Sequence, residues 1–435
     1  MGKSHTNGDP VMAWGFSGHH DPTPACTHLI EQVASVLDGR PPTFAFVFAS
    51  RYKANALDAF AGRLVSALGI ETLVGMSSTG IIGGRTTVED RPGVSVLVGS
   101  FPGVEARAFA APSHAVPVED GDELKAWATA LLRPRDDHRA TILFADPTSL
   151  AVSRLIPELF TAGQANTMLG ALASTSESKK KKGQPALLFS GQGVQRGGLV
   201  GLTLAGPIRI DTLLGQACRP VGPTMVVTRS RRNLICELGG HPAIEAIQAV
   251  AKSFSHEERR LLAGGLFVGI AVDEYRERFG RGDFIIRKVL GGHGASGSIA
   301  IDEPVRPGRT VQVHLLDPAL ARDDLGLLLD AQKLHKPPAG ALILSDAARG
   351  KSMFEDHWSD ATAVARAFDA TRSGEDAAKG GYEIAGLGGP IPAAGCFSSG
   401  QIAPIGSTCR VHGSCSAIAL FRGQDSQTTV STPKT

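Results

Sequence analysis

The feature that most constrains this chain is a strand–helix–strand unit that recurs three times, each time leading into a glycine- and serine-rich segment. In the first copy Thr43 to Ala49 is a continuous apolar run of strand length, Asn55 to Leu68 carries Leu57, Phe60, Ala61, Leu64, Val65 and Leu68 at helical spacing, and Glu71 to Met76 is again strand-like. Thr141 to Ala145, Leu150 to Thr161 and Thr167 to Ala171 repeat the pattern. The third copy is stretched, from Ala341 to Leu344 through a helix over Ala361 to Ala370 to an apolar run ending at Cys396. The segments that follow begin at Gly75, Gly170 and Gly395, and the first and third share G-x-x-S-[ST]-G-x-I. Strands apolar on both faces and joined through a helix call for parallel pairs covered on each side. The expected fold class is therefore α/β (mixed α+β), with two glycine-rich domains built on mixed sheets.

The remaining sequence sets the boundaries. Residues 1–40 read as a loosely docked leader with one helix over Cys26 to Asp38, residues 41–236 as an N-terminal domain, 237–421 as a C-terminal domain and 422–435 as a disordered tail. In the second block Asp283 to Leu290, Gly297 to Ile301 and Thr310 to Leu315 read as strands, and Asp317 to Leu334 as an amphipathic helix with Pro318 in its first turn. The Lys179 to Lys182 run reads as a solvated loop tip.

Composition excludes several functions. Forty-four basic residues against 42 acidic ones leave a net charge of +2, and aromatics are only 6%, so neither a nucleic-acid surface nor a base-stacking platform is expected. The longest apolar stretch, Leu261 to Val272, is too short to span a membrane, and the polar start shows no secretory signal. Six cysteines in 435 residues are too sparse for a disulfide scaffold and point to a reducing, cytoplasmic setting.

Chemistry has fewer handles. Gly191 to Gly197 and Gly75 to Gly80 mimic phosphate loops but lack, respectively, a following helix and the Lys-Ser/Thr pair. Cys396, Cys409, His412 and Cys415 lie close in sequence, yet their C-x2-H-x2-C spacing departs from structural zinc patterns, so no metal is expected. No G-x-S-x-G elbow is present. What remains are polar residues where apolar strands end, above all Asp346 and Arg349 beside the Ser398, Ser399, Gly400, Gln401 loop, with His412 on the next strand. Three readings stay open: a small-molecule site on these residues, an enzyme using Asp346 as base, His412 as proton donor and Cys396 as nucleophile, or a scaffold whose glycine loops only join sheets.

The ordered motifs Val74 to Gly83, Cys218 to Pro223, Gly282 to Arg287, Ser345 to Gly350, Gly395 to Pro404 and His412-Gly413 resemble those of the FIST proteins. The resemblance covers roughly residues 41 to 421 and implies an N-terminal and a C-terminal FIST domain acting as an intracellular sensory module for a small polar or amino acid-like ligand. No kinase, cyclase or methyl-accepting pattern is attached, so a separate signalling protein is the expected partner. Some bacterial relatives bind haem, which makes haem the alternative cofactor with His412 or another histidine as its ligand, while no cofactor is the primary expectation. Asp346 stands where the family often has Cys, and Gln401 where it often has Glu; Arg349, Gly350, Gly400, Pro404 and His412 match.

Overall fold

The computed structural model describes residues 8–119, 121–164, 167–174, 185–280, 282–354, 358–369 and 390–424. The Lys179 to Lys182 run lies outside them. Each expected unit folds around a parallel pair: Phe44–Ser50 with Leu73–Ser78, His138–Ala145 with Met168–Leu172, and Gly340–Asp346 with Ala393–Ser398. The connecting helices are Ala54–Leu68, Val152–Gly163 and Asp360–Ala367. Each pair is flanked by an antiparallel strand, respectively Gly93–Ser100, Leu199–Ala205 and Ser416–Gly423, and sits inside a six-stranded mixed sheet.

The strands that leave the glycine–serine loops do not stay with their own unit. Gly80–Gly83 leaves the first unit and pairs with Ala393–Ser398 of the third. Gln401–Ile405 leaves the third and pairs with Met168–Leu172 of the second. Leu187–Ser190, the next strand after the second unit, pairs with Leu73–Ser78 of the first. The exchange closes a cycle, and the loops themselves are stitched in the same sense. The Thr79 N–H donates to Phe397 O at 3.3 Å, Ser399 N–H to Leu172 O at 3.1 Å and Ser174 N–H to Ser77 O at 3.2 Å.

The inner faces of the three sheets share one core, in which Phe44, Phe46, Phe48, Phe144 and Phe421 meet Leu342, Leu344 and Cys396. Phe48 stands edge-on to Phe144 at 5.5 Å. Outer faces are covered by helices: Pro22–Leu37 and Ala54–Leu68 on the first sheet, Asp122–Leu132 and Val152–Gly163 on the second, Pro318–Gln332 and Asp360–Ala367 on the third. This double coverage is why the central strands read as unbroken apolar runs.

A fourth, all-antiparallel sheet is inserted between two strands of the third, Ile208–Gly215 and Gly340–Asp346. Its strands Cys218–Arg231, Thr310–Leu316, Leu266–Ala271, Phe284–His293, Ser298–Ile301 and Leu234–Leu238 close into a ring, because Cys218–Arg231 pairs with both its first and last neighbours. The long strand manages this by breaking register between Val221 and Thr224, where Gly222 takes φ +67°. Helix Ala243–Lys252 packs on the ring.

Several details differ from expectation. The leader contains a strand, Val11–Ser17, paired with Gly93–Ser100, and its helix begins at Pro22 because Asp21 caps it by accepting from the Thr23 N–H at 2.9 Å. The division after residue 236 falls inside strand Leu234–Leu238 of the ring. The final strand runs to Gly423, so Arg422 belongs to the sheet, buried and ion-paired with Asp211, rather than to a tail.

Candidate functional site

Strand Gly340–Asp346 ends at a short turn in which Asp346 accepts from the Ala348 N–H at 2.8 Å. The other carboxylate oxygen of Asp346 accepts from the Ser414 N–H at 3.0 Å. Ser414 sits at φ +55°, in the bend between Thr408–His412 and Ser416–Gly423. Gln401 closes the cluster. With its amide oriented so that both ends are satisfied, the carbonyl accepts from Ser398 Oγ at 2.8 Å and from the Asp346 N–H at 2.9 Å, and the amino group donates to Cys415 O at 3.2 Å. Asp346, Ser398 and Gln401 are thus brought together as the sequence suggested, with Ser414 and Cys415 as members it did not indicate.

Arg349 is drawn into the same region but is already engaged. Its Nε donates to Asp360 at 3.0 Å and its Nη2 at 2.6 Å, a two-pronged ion pair with side chains 0% and 1% exposed. Ser345 Oγ also donates to Asp360, at 2.6 Å. Sequence reading missed Asp360, whose place at the start of helix Asp360–Ala367 looks like ordinary capping chemistry. The Nη1 of Arg349 is buried and has no hydrogen-bond partner among the described residues.

Of the seven predicted residues only Ser399 is exposed. Its hydroxyl donates to Leu172 O at 3.2 Å and to Ala173 O at 3.3 Å, so it ties the third unit to the second. Gly400 is packed against Leu172 and Val411, at the crossing of the exchanged strand. His412, opposite Gln401 in register, turns its imidazole elsewhere: Nε2 lies 3.1 Å from Ala403 O. A carbonyl only accepts, so Nε2 carries the proton. Cys396 does not join these groups, since it is fully buried in the apolar core between sheets and burial pushes its thiol well up.

The electrostatics follow from burial. Desolvation raises the Asp346 carboxyl against the opposing pull of the Ala348 and Ser414 N–H groups, Arg349 and Lys288. Burial also pushes the Cys218 thiol up to about 12, with Asp346 adding to it, and pushes the Cys415 thiol well up too. Cys218 and Lys288 belong to the inserted ring, so the cluster straddles its junction with the third sheet.

Burial lowers His412 and His314 each to about 4. An unfolded histidine titrates near 6.5, so between these values the unfolded chain binds more protons, and stability present above pH 6.5 is lost as pH falls toward 4. Each imidazole contributes about 3 kcal/mol to that loss. Asp346, whose carboxyl is raised by burial, works with the opposite sign. Urea midpoints measured at pH 7.5, 5.5 and 4.5 are expected to fall steadily, and the slope to lessen in His412→Gln. An unchanged slope in that variant would exclude His412 as a source.

Among the described residues no three His, Cys, Asp or Glu side chains are placed to hold a metal. The cluster does not fit haem through His412 either: Nε2 is committed to Ala403 O and the ring is 3% exposed. No helix among the described residues is long and apolar enough to cross a membrane.

Three interlocked strand–helix–strand sheets with an inserted antiparallel ring define a mixed α/β protein built from repeated units, with a buried polar cluster where ring and repeat meet. The model of the FIST N domain matches residues 43–241 and that of the FIST C domain residues 243–404, and the chain belongs to this family. FIST domains are associated with signal transduction and sensing. An uncharacterized protein of Mycobacterium tuberculosis is 32% identical over 402 residues, covering 91% of this chain and 94% of its own. An uncharacterized protein of Mycobacterium bovis is 31% identical over 412 residues, covering 92% and 96%.

Proposed function

We propose that the chain is a sensory module that binds a small polar or amino acid-like ligand at the end of strand Gly340–Asp346, using Arg349, Asp346 and the Ser398–Gln401 loop, with His412 as a neighbouring wall. The observation that carries this reading is the buried Nη1 of Arg349, a charged donor without a partner among the described residues, beside the Asp346 carboxyl. A buried donor left unmatched costs about 1–3 kcal/mol, which an oxygen acceptor on a ligand would recover. Arg349 donates and Asp346 accepts, a pairing suited to a molecule carrying both a carboxylate and an ammonium group. Because the cluster touches both the third sheet and the inserted ring, a ligand there acts on their junction, and a separate signalling protein reads the change. The setting would be the cytoplasm.

A second reading rests on the Ser399 hydroxyl, which bonds to Leu172 O and Ala173 O of another unit. On that reading the loop is a joint between sheets and the function lies elsewhere.

Calorimetry with the common amino acids and small dicarboxylates, on wild type and Arg349→Lys, separates the two. Lys keeps the charge and loses the fork, so a bound compound is expected to lose at least about tenfold in affinity. Failure of every compound to bind wild type, or equal binding by a folded Arg349→Lys, would leave the joint as the better account.

A further inference from the structure

On the far side of the second sheet, a cleft of about 230 Å³ is lined by Glu105, Arg107, Arg133, Arg135, His138, Thr203 and Ala205. It opens where edge strand Glu105–Ala111 meets the end of helix Asp122–Leu132. The register sets the row: Thr203 lies opposite both Arg107 and Thr141, and Ala205 opposite both Glu105 and His138. Side chains directly opposite across neighbouring strands share a face, so Arg107 and Thr203 point the same way.

The charges there are unequally matched. Arg135 is answered twice, by Glu105 and by Asp137 at 3.0 Å. Arg107 and Arg133 have no ion pair among the described residues, and burial together with the nearby Arg133 lowers the Arg107 pKa against a weaker opposing pull from Glu105. Arg107 uses Nη2 alone to donate to Leu131 O, at 2.9 Å, and to Leu132 O, which caps the helix and leaves its Nε and Nη1 uncommitted. His138 places Nε2 2.9 Å from Ala140 O, so that nitrogen carries the proton, and burial lowers its pKa. A neutral His138 therefore offers Nδ1 as an acceptor.

Arg133 is held against two preferences at once. It occupies the left-handed region at φ +44°, where glycine is the usual helix terminator, and it precedes Pro134, which restricts its backbone further. Among the described residues the one hydrogen bond of that exposed position is the cap from its N–H to Thr129 O, which needs no side chain. Backbone strain combined with an unpaired cation beside a second unpaired cation is what an anion held between them would explain.

We infer that this cleft is a binding site for a phosphate-class oxyanion, held by the guanidinium groups of Arg107 and Arg133, with Thr203 and His138 contacting any hydroxyl group of a phosphate monoester. Guanidinium forks match tetrahedral oxyanions with paired donors, and the cleft has room for the anion with a short carbon chain. Arg135, neutralised by Glu105 and Asp137, forms the rim.

The test uses the full chain, inorganic phosphate and glycerol 3-phosphate, with ionic strength held constant by sodium chloride. Melting temperature is expected to rise saturably with phosphate and not with chloride. Arg133→Gly removes the guanidinium while relieving the backbone, so its melting temperature without phosphate should equal or exceed that of wild type, and its phosphate affinity should fall at least about tenfold. Arg133→Lys should recover part of that loss. Tighter binding of glycerol 3-phosphate than of phosphate would identify a monoester as the ligand, and equal binding the free anion. The proposal is overturned if phosphate does no more than chloride, or if Arg133→Gly binds phosphate as wild type does.

Discussion

Gly395→Ala is expected to destabilise the protein by about 3 kcal/mol or more, enough to leave much of it insoluble on expression. Gly395 lies opposite Ile343 in the parallel pair of the third unit, and a Cβ there would press into the Ile343 carbonyl oxygen, far inside the 3.0 Å that real Cβ atoms keep. The obstacle is backbone at the centre of a sheet, so no side-chain rotation relieves it. Gly75 facing Val47 and Gly170 facing Leu143 repeat the contact in the other two units. All three substitutions should therefore behave alike, whereas Gly62→Ala should be neutral or stabilising by up to about 1 kcal/mol, because Gly62 is an exposed helix position with nothing within 4 Å. Thermal and urea unfolding of the four variants decides the matter. A Gly395→Ala protein as stable as Gly62→Ala would show that the strands can separate at no cost.

Breaking the Arg349–Asp360 pair from one side should cost nearly as much. Both side chains are out of water, so Arg349→Met leaves a lone carboxylate and Asp360→Leu a lone guanidinium, each worth about 3–5 kcal/mol of lost stability. Removing both at once eliminates the uncompensated charge, and Arg349→Met with Asp360→Leu is expected to regain most of the loss, since paired apolar replacements are often neutral or better. The double-mutant cycle measured by chemical denaturation should show strong coupling. Additive losses would mean that the two side chains do not stabilise the fold through each other. The double variant would also lack the donor assigned to the ligand, so it should fold and fail to bind.

Much of this architecture is legible in the residues because burial on both faces writes itself as unbroken hydrophobicity. Phe44–Ser50 and Gly340–Asp346 could hardly be anything but central strands. Strand Val11–Ser17 escaped because it lies at a sheet edge, where alternating burial and two glycine neighbours weaken the pattern. The exchange of strands has no local signature at all: nothing in Gly80–Gly83 says that its partner begins at Ala393 rather than nearby. The polar cluster divides in the same way. Asp346, Arg349 and Gln401 stand out as polar residues at strand ends. Asp360 does not, because an acid at the start of a helix already has a sufficient local reason to be there. Ser414 and Cys218 reach the cluster only through the bend and the inserted ring, which are consequences of tertiary packing.

The cyclic exchange bears on how the chain is made. A ribosome delivers Gly80–Gly83 long before Ala393–Ser398, more than three hundred residues later, and the hairpin it starts with Thr86–Glu89 has no sheet to join in the meantime. The second unit faces the same wait, since its sheet lacks Gln401–Ile405 until the chain is almost complete. Long-range pairings of this kind slow folding and leave strand edges open to other chains. Synthesis of this protein therefore passes through a prolonged state with unpaired edges, and a chain cut between its two FIST domains would carry those edges permanently.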